Sequence, residues 1–296
     1  MQKLSFADPV AKTLTPQMCD ALARRIKGDI DAWCVNEYTD EHRTHLGASV
    51  IGEDCARRIW MTFRWIRTEI FDGRMLRLFQ RGHLEEQRII SYLRGAGWTV
   101  WDLDPTTGKQ FRIWGAKGHY GGSSDAVGQT PYPELIGLNL LLEFKTHNLH
   151  SFKMLVDKGM IISKPQHYAQ MCSYGVAFGF QYGMYVGVGK NDDDIKIEIV
   201  KLDKQYADDL VKKAEDIIFA QRPEQTQKIS LQPSYVACTY CPQRGPCHFN
   251  EPVAINCRSC RHAFPIENAQ WGCEVHKCIL PPDFIPKGCA QHHSIL

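Results

Sequence analysis

Apolar and polar positions recur along this chain with two different periods, and each change of period marks an element. Thr15 before Pro16 reads as a capped helix start that continues through residues 19–26. Residues 1–46 are predicted to form an N-terminal helical region, with Trp33 and Tyr38 packing and with Cys19 and Cys34 buried as small apolar side chains. Residues 56–65 predict a second helix with its aromatics on one side. Residues 79–93 predict a third, in which Leu84, Ile89, Ile90 and Leu93 form the apolar stripe and Gly95 with Gly97 ends it. Period-2 stretches at 98–103 and 110–114 flank a turn and predict a hairpin. A glycine-rich strand runs from Tyr120 to Val127, and an apolar run then enters a central strand ending in Glu143-Phe144-Lys145. Residues 147–164 read as an irregular or partly helical basic link. A helix at 165–175, strands at 181–188 and 195–202 around an acidic tip, and an amphipathic helix at 204–220 complete an α/β (α+β) order with a mixed sheet.

Strand alternation puts Glu143 and Lys145 on one face and Phe144 on the other. Asp125, on the preceding apparent strand, can meet them at one point. Carboxylates beside an amine suit a divalent cation and an activated water. Glu and Lys alternating on the wet face of a half-buried strand are also a common structural pattern. The helix at 79–93 offers His83, Glu85 and Glu86 toward such a centre, and periodicity does not choose among them. Gln170 and Tyr174, four residues apart, share a helix face.

Composition changes the picture in two places. Over 296 residues, Lys+Arg 35 against Asp+Glu 33 gives a net charge of +2, which neither demands nor excludes nucleic acid. Residues 57–88 nevertheless hold eight arginines against four carboxylates. Arg57, Arg58, Arg64 and Arg81 are candidate contacts to a phosphate backbone, with a solvated helix face as the plain alternative. The early residues lack an apolar signal-peptide core and no stretch reaches membrane-spanning length, so a cytoplasmic protein without membrane contact is expected. Of twelve cysteines, eight follow residue 237 in close spacings, a distribution that favours metal binding in a reducing compartment over disulfides.

Gly82 with Glu86, Asp125 in Ser124-Asp125-Ala126, Glu143-Phe144-Lys145, and Gln170 with Tyr174 together resemble the PD-(D/E)XK nuclease superfamily, in its RecB-like and lambda-exonuclease-like branches. The resemblance spans residues 79–175. It implies a restriction-endonuclease-like core whose central mixed β-sheet is flanked by helices. It also implies a centre in which Glu86, Asp125, Glu143 and the carbonyl of Phe144 hold Mg²⁺ or Mn²⁺, Lys145 assists the attacking water, and Gln170 and Tyr174 support water, phosphate or strand. His83 competes with Glu86 as the helix ligand, because RecB-like members often use a histidine there. The basic link at 147–164 would then face DNA.

Cys55 before this core, with Cys238, Cys241 and Cys247 after it, resembles the iron–sulfur pattern of AddB-type nucleases and of CRISPR-adaptation nucleases. That implies a [4Fe–4S] cluster stapling the domain, with Zn²⁺ as the alternative. The remaining cysteines predict a small zinc-knuckle-like module at 251–296. Cys257, Cys260 and Cys273 are its ligands and Cys289 the natural fourth, while Cys278, His262, His276, His292 and His293 are substitutes. The expected organisation is thus 1–46, a nuclease domain at 47–250, and the module at 251–296. The expected activity is metal-dependent DNA hydrolysis, as an exonuclease at ends or single-stranded regions, with a helicase, recombination or single-strand-binding partner. The alternative is a nucleic-acid-binding recombination or CRISPR-adaptation-like partner protein with endonuclease or weak nuclease activity.

Overall fold

A computed structural model describes residues 14–39 and 43–296. Residues 1–13 and 40–42, parts of the predicted N-terminal segment, therefore lie outside the described residues. The chain divides into two compact units, one drawn from residues 1–41 and 70–81 and the other from 42–69 and 82–296. The first unit is helical. Its helix α1, Pro16–Tyr38, starts as expected: Thr15 Oγ1 accepts from the Met18 N–H at 3.3 Å, and Pro16 occupies the first turn. Arg77 pairs with Asp31 and Cys34 is buried, while Cys19 is exposed, contrary to its expected burial. Trp33 and Tyr38 meet edge to face at 5.4 Å between ring centroids.

In the second unit, strand β1 (Leu46–Gly47) precedes helix α2 (Ala56–Phe63), and helix α3 (Gly73–Gly95) belongs to this unit from Gly82 onward. The strands β2 (Thr99–Trp101), β3 (Arg112–Gly115), β4 (Tyr120–Ser123), β5 (Ala126–Gln129) and β6 (Leu140–His147) follow. Helices α4 (Leu149–Ser163) and α5 (Pro165–Ala177), strands β7 (Tyr182–Gly189) and β8 (Ile195–Lys201), and helix α6 (Lys204–Phe219) complete the core. The central sheet runs β2-β5-β6-β7-β8 and is mixed: β6 and β7 are parallel and every other pair is antiparallel. This is the expected helix-flanked mixed sheet.

The two faces of β6 are both buried, which explains its continuous apolar entry at Leu140, Leu141 and Leu142. Leu140, Leu142 and Phe144 pack with Ile89, Ile90 and Leu93 of α3. Leu141 faces the other way, into the larger core built with α5, α6 and α2. Leu84, expected in the α3 stripe, is instead 72% exposed. The expected hairpin is not formed. β2 pairs with β5 in the central sheet, whereas β3 pairs with β4 in a separate three-stranded sheet, order β1-β4-β3. The turn between them closes on itself, with Asp104 Oδ1 accepting from the Thr106 backbone N–H, so it needs no ladder on either side. The glycine-rich strand likewise splits into β4 and β5 in different sheets, and Ser124-Asp125 is the crossing point. The expected link at 147–164 is a helix, α4, capped by Asn148 accepting from the Ser151 N–H at 2.8 Å and broken at Gly159, where φ is +74°. His147 is not on a loop facing DNA. It is the buried last residue of β6.

Short helices α7 (Val236–Thr239) and α8 (Arg244–His248) lead to a third sheet, order β11-β10-β9, made of β9 (Ala263–Pro265), β10 (Trp271–Cys273) and β11 (Cys278–Ile279). These last residues share the larger core with α2. Cys257, Ala263, Trp271, Leu280, Ile285 and Ile295 belong to the same apolar cluster as Phe63 and Trp65. Backbone bonds reinforce the seam, with the Ala254 N–H donating to the Ile66 carbonyl at 2.8 Å and Asn256 Nδ2 to the Trp65 carbonyl at 3.0 Å.

Two arginines are sealed inside this seam. Arg64 Nη2 donates to the carbonyls of Cys260 (2.9 Å) and Ala263 (3.0 Å), and Arg258 Nη1 to that of Thr44 (3.1 Å). The Arg258 guanidinium lies 4.3 Å from the Phe63 ring, 4.4 Å from Trp65 and 4.7 Å from Trp271. Both side chains are fully buried, and Arg64 Nε and Nη1 with Arg258 Nε and Nη2 have no hydrogen-bond partner among the described residues. Dehydrating one such ion costs several kcal/mol, whereas a desolvated ring face returns about 2 kcal/mol. The rings alone do not balance two charges.

Candidate active site and two cysteine-lined cavities

The sheet-to-sheet crossing at Ser124-Asp125 delivers Asp125 beside β6. Asp125 Oδ2 accepts from the Phe144 N–H at 2.8 Å, which fixes the carboxylate against the strand, and it lies 3.8 Å from Lys145 Nζ. Phe144 thus meets Asp125 through its backbone, while its ring is buried on the α3 side. Lys145 also forms an ion pair with Glu143, whose side chain is fully buried. Neither Glu143 oxygen accepts a hydrogen bond of ordinary geometry. A carboxyl group withheld from water with no partner among the described residues but the Lys145 ammonium is unusual, since buried polar atoms are normally satisfied.

Electrostatics bind this group together. Burial and then the charge of Asp125 push Glu143 up from its ordinary range, against the pull of Lys145. On α3, Glu86 is pushed up to about 7 by burial and then by Asp125, with Lys145 opposing. Burial works against the Lys145 charge, yet Asp125 and Glu143 hold the amine above the ordinary lysine value. Three carboxyl groups therefore share the field of one cation, and burial with mutual repulsion favours protons on Glu143 and Glu86. Among the three polar groups that α3 offered, Glu86 is the one that senses Asp125 and Lys145. Its neighbour Glu85 is bonded by Arg88 Nε at 2.7 Å, and Arg88 in turn reaches Asp193. His83 is largely exposed, with Nδ1 3.7 Å from Glu86 Oε1.

Gln170 and Tyr174 are both buried on α5. Tyr174 is raised above its ordinary value by burial first and then by Glu143 and Asp125, so it lies within the field of the site. Its hydroxyl lies against Gly122 of β4, where any side chain would collide with it. Gly122 thus lets a helix side chain approach the strand.

A second polar cluster extends the same face of β6, and no motif along the chain marks it. His147, two residues beyond Lys145, has Nδ1 at 3.0 Å from Ser151 Oγ and Nε2 at 2.9 Å from the Tyr185 hydroxyl. That hydroxyl also meets His167 Nδ1 at 2.8 Å, and Lys164 Nζ donates to Ser151 Oγ at 2.7 Å. One hydroxyl has one proton, so at least one imidazole donates to Tyr185. Burial, then Lys164, lowers His147 to about 4, and burial, then Lys145, lowers His167 to about 3. Only the parallel register, which sets Glu143 opposite Tyr185, brings these residues together.

The arginines divide differently. Arg57 is spent on the Thr226 hydroxyl (2.9 Å) and nearby carbonyls, and Arg58 on Glu53 at 3.3 Å. Arg64, sealed in the seam, is out of reach of any surface strand. Arg81 belongs to the first unit.

Two cavities collect the cysteines. Cys55, the N-cap of α2, lines one of about 120 Å³ together with Cys238, Cys241 and Cys247. Arg58, Lys228 and Arg244 also line it. Cys257, Cys260, Cys273 and Cys289 line the other, of about 20 Å³, with His262, His276 and His292. Cys278 is exposed. All twelve cysteines are free, and burial followed by the neighbouring cysteines raises Cys257 to about 11. Among the described residues, no three His, Cys, Asp or Glu side chains stand as ligands around one point. The thiols at the cavities, like the carboxyl groups of Asp125, Glu143 and Glu86, are not closed into ligand shells.

No family model matches the chain and no curated protein matches it. Among solved structures it is similar to an alkaline exonuclease from Laribacter hongkongensis, at 16% identity and a TM-score of 0.41, over 64% of this chain and 90% of that one. The same exonuclease in complex with dAMP is similar at 17% identity and a TM-score of 0.41, with the same coverage. A protein described as SSO0001 is similar at 18% identity and a TM-score of 0.40, over 74% of this chain and 97% of that one. No helix among the described residues is long and apolar enough to cross a membrane.

Proposed function

We propose that the chain is a Mg²⁺- or Mn²⁺-dependent deoxyribonuclease that acts from DNA ends. The observation that carries this reading is the pairing of Asp125 and of fully buried Glu143 with one lysine, Lys145, with Glu86 on α3 within the field of the same charges. A divalent cation would take the place of the protons that Glu143 and Glu86 retain, and the oxygen donor set suits a hard ion. Asp125, Glu143, Glu86 and the carbonyl of Phe144 would hold it. Such an ion supplies a water of lowered pKa and positive charge at the phosphate oxygens. Lys145 stays protonated between two carboxylates and presents its N–H groups to water and phosphate. Asp125 is kept on station by the Phe144 N–H, while Tyr174 walls the α5 side and Gln170, buried one turn before it, would orient water or phosphate. His83, beside Glu86, is the alternative helix donor. Preference for ends, and for single-stranded or duplex DNA, rests on the resemblance of the motifs to RecB-like and lambda-exonuclease-like nucleases.

Cys55, Cys238, Cys241 and Cys247 hold a [4Fe–4S] cluster in this reading, with Zn²⁺ as the alternative. A cavity needs about 10–15 Å³ to admit one water-sized body, so about 120 Å³ takes a multi-atom cluster and about 20 Å³ takes a single ion. Cys257, Cys260, Cys273 and Cys289 then take Zn²⁺. The test uses anaerobically purified protein, Mn²⁺, and DNA supplied end-labelled or covalently closed. Release of nucleotides from the labelled linear DNA alone supports the reading; an intact substrate at every metal concentration, or equal attack on closed circles, removes the nuclease or the end preference respectively.

A further inference from the structure

The small sheet β1-β4-β3 packs one face inward, through Ile113, Tyr120 and Gly122, and presents the other to solvent. The floor of that outer face is two glycines. Gly47 of β1 is the register partner of Gly121 of β4, and Gly121 is also the partner of Trp114 of β3, so the three residues form one row across the sheet. A side chain on either glycine would collide with what lies there. At Gly47 it would meet the Arg43 guanidinium, and at Gly121 it would come within 2.9 Å of the Trp114 indole. The glycines thus let a guanidinium and an indole lie down on bare backbone, on adjacent strands about 4.8 Å apart. His45 braces the indole edge-on, with ring centroids 5.3 Å apart at 70°, yet Trp114 is 57% exposed. In the next row on this face, Arg112 Nε donates to Ser123 Oγ at 2.9 Å. Neither Arg43 nor Arg112 makes an ion pair among the described residues. Burial, then the charges of Arg43 and Arg112, lowers His45 to about 4, so both guanidiniums act on the ring that edges the indole. An indole pinned in place but left open to water adds little to the core, which lies on the opposite face.

We propose that this face is a platform for single-stranded DNA, on which one unpaired base stacks on Trp114 and the flanking phosphates meet Arg43 and Arg112. The inference deepens the nuclease reading above and rests on it for the substrate. Every base has a π face, so an indole takes any base, while the guanidiniums supply charge for the backbone. A base inside a duplex has both faces covered by its neighbours, so the platform selects unpaired strand. Its place in the chain ties it to the acidic centre. Ser123, held by Arg112, is two residues before Asp125, and Gly121, under the indole, is four before it. Four residues of chain reach no more than about 14 Å, so the platform stands within a few nucleotides of a phosphate at Lys145. It touches the strand beside the reacting bond and takes no part in the chemistry.

The experiment measures binding of labelled oligothymidylate, oligouridylate and a blunt DNA duplex to the full chain by fluorescence anisotropy, without added Mg²⁺ or Mn²⁺. Wild type is compared with Trp114→Ala, Trp114→Phe and Arg112→Gln, with thermal midpoints to check folding. Trp114→Ala should weaken binding of oligothymidylate about ten- to a hundredfold, Trp114→Phe should keep most of it, and neither should change duplex binding. Arg112→Gln should lower the salt slope for the single strand by about 0.7, the share of one phosphate contact. If Trp114→Ala does not fold, Trp114→Leu, which keeps apolar bulk without a ring, carries the same comparison. Unchanged single-strand affinity on loss of the ring, an equal loss for the duplex, or a Phe variant as weak as Ala overturns the platform. Tighter binding of oligouridylate than of oligothymidylate overturns its assignment to DNA. Cleavage is assayed separately with Mn²⁺. A chain that holds strands through Trp114 and never cuts them loses the nuclease reading alone, whereas one that cuts while Trp114→Ala binds as wild type loses only the platform.

Discussion

Replacing Glu143 by Gln should stabilise the metal-free protein. Wild-type Glu143 is fully buried, and it shares one cation, Lys145, with Asp125. Dehydrating a carboxylate costs several kcal/mol, and Asp125 adds like-charge repulsion. The variant removes that charge and leaves Lys145 paired with Asp125, a relief on the order of 3 kcal/mol. Against this stands the buried amide, which lacks partners and costs about 1–2 kcal/mol. The net is a gain of about 1–2 kcal/mol, or roughly 2–3 °C in the midpoint for a chain of this size. Mn²⁺ should invert the order. A saturating ion at about 100 times its Kd adds about 2.7 kcal/mol to wild type and little to a site that has lost a ligand. Scanning calorimetry at pH 8, with chelator or Mn²⁺, reads both halves. A Glu143→Gln protein that melts below wild type by the same margin in each buffer would refute the reasoning, because Glu143 would then be an ordinary packed residue.

The same site gives a pH dependence. Glu143 and Glu86 are raised, Glu86 from 4.5 to about 7, so the folded metal-free protein keeps protons that the unfolded chain releases. Their contribution is fully present below about pH 4.5 and is lost as pH rises through about 7, and Mn²⁺ should abolish this decline in urea titrations. His147 acts in the opposite direction. Its pKa falls from 6.5 to about 4, so its contribution is present above pH 6.5 and is lost as pH drops to about 4, on the order of 3 kcal/mol; His147→Gln should flatten that limb. Gly122→Ala should cost about 1–3 kcal/mol and much of the activity through collision with the Tyr174 hydroxyl, and adding Tyr174→Phe should restore part of both in paired melting and cleavage assays. Cys55→Ser should lose the visible absorbance of an iron–sulfur cluster while the serine hydroxyl keeps the cap on α2, whereas unchanged iron and sulfide would place the cluster elsewhere.

Local signals carried most of the fold. Thr15-Pro16, the apolar entry to β6, and the α5 pair Gln170 and Tyr174 all lie where the pattern put them. Long-range pairing was less legible. Residues 98–114 have the alternation of a hairpin, but alternation says nothing about which strand is the partner, and β2 and β3 went to different sheets. The link at 147–164 hid a helix because Gly159 and the scattered lysines blur its period. Charge was read correctly as a segment but wrongly as a surface at Arg64, since sequence does not distinguish a guanidinium facing solvent from one held between rings. The polar cluster of His147, Ser151, Lys164, His167 and Tyr185 draws on two helices and two strands, and no spacing along the chain announces it. The acidic centre was readable because a strand period brings Glu143 and Lys145 together without help from the fold.

Cleavage of end-labelled DNA by wild type and Lys145→Ala, matched for thermal midpoint and Mn²⁺ content, bears most directly on the acidic centre. The account expects wild type to release nucleotides only with Mn²⁺ or Mg²⁺, and the variant to lose at least about a hundredfold in rate while still binding the metal. A folded Lys145→Ala protein that cuts at the wild-type rate would contradict it.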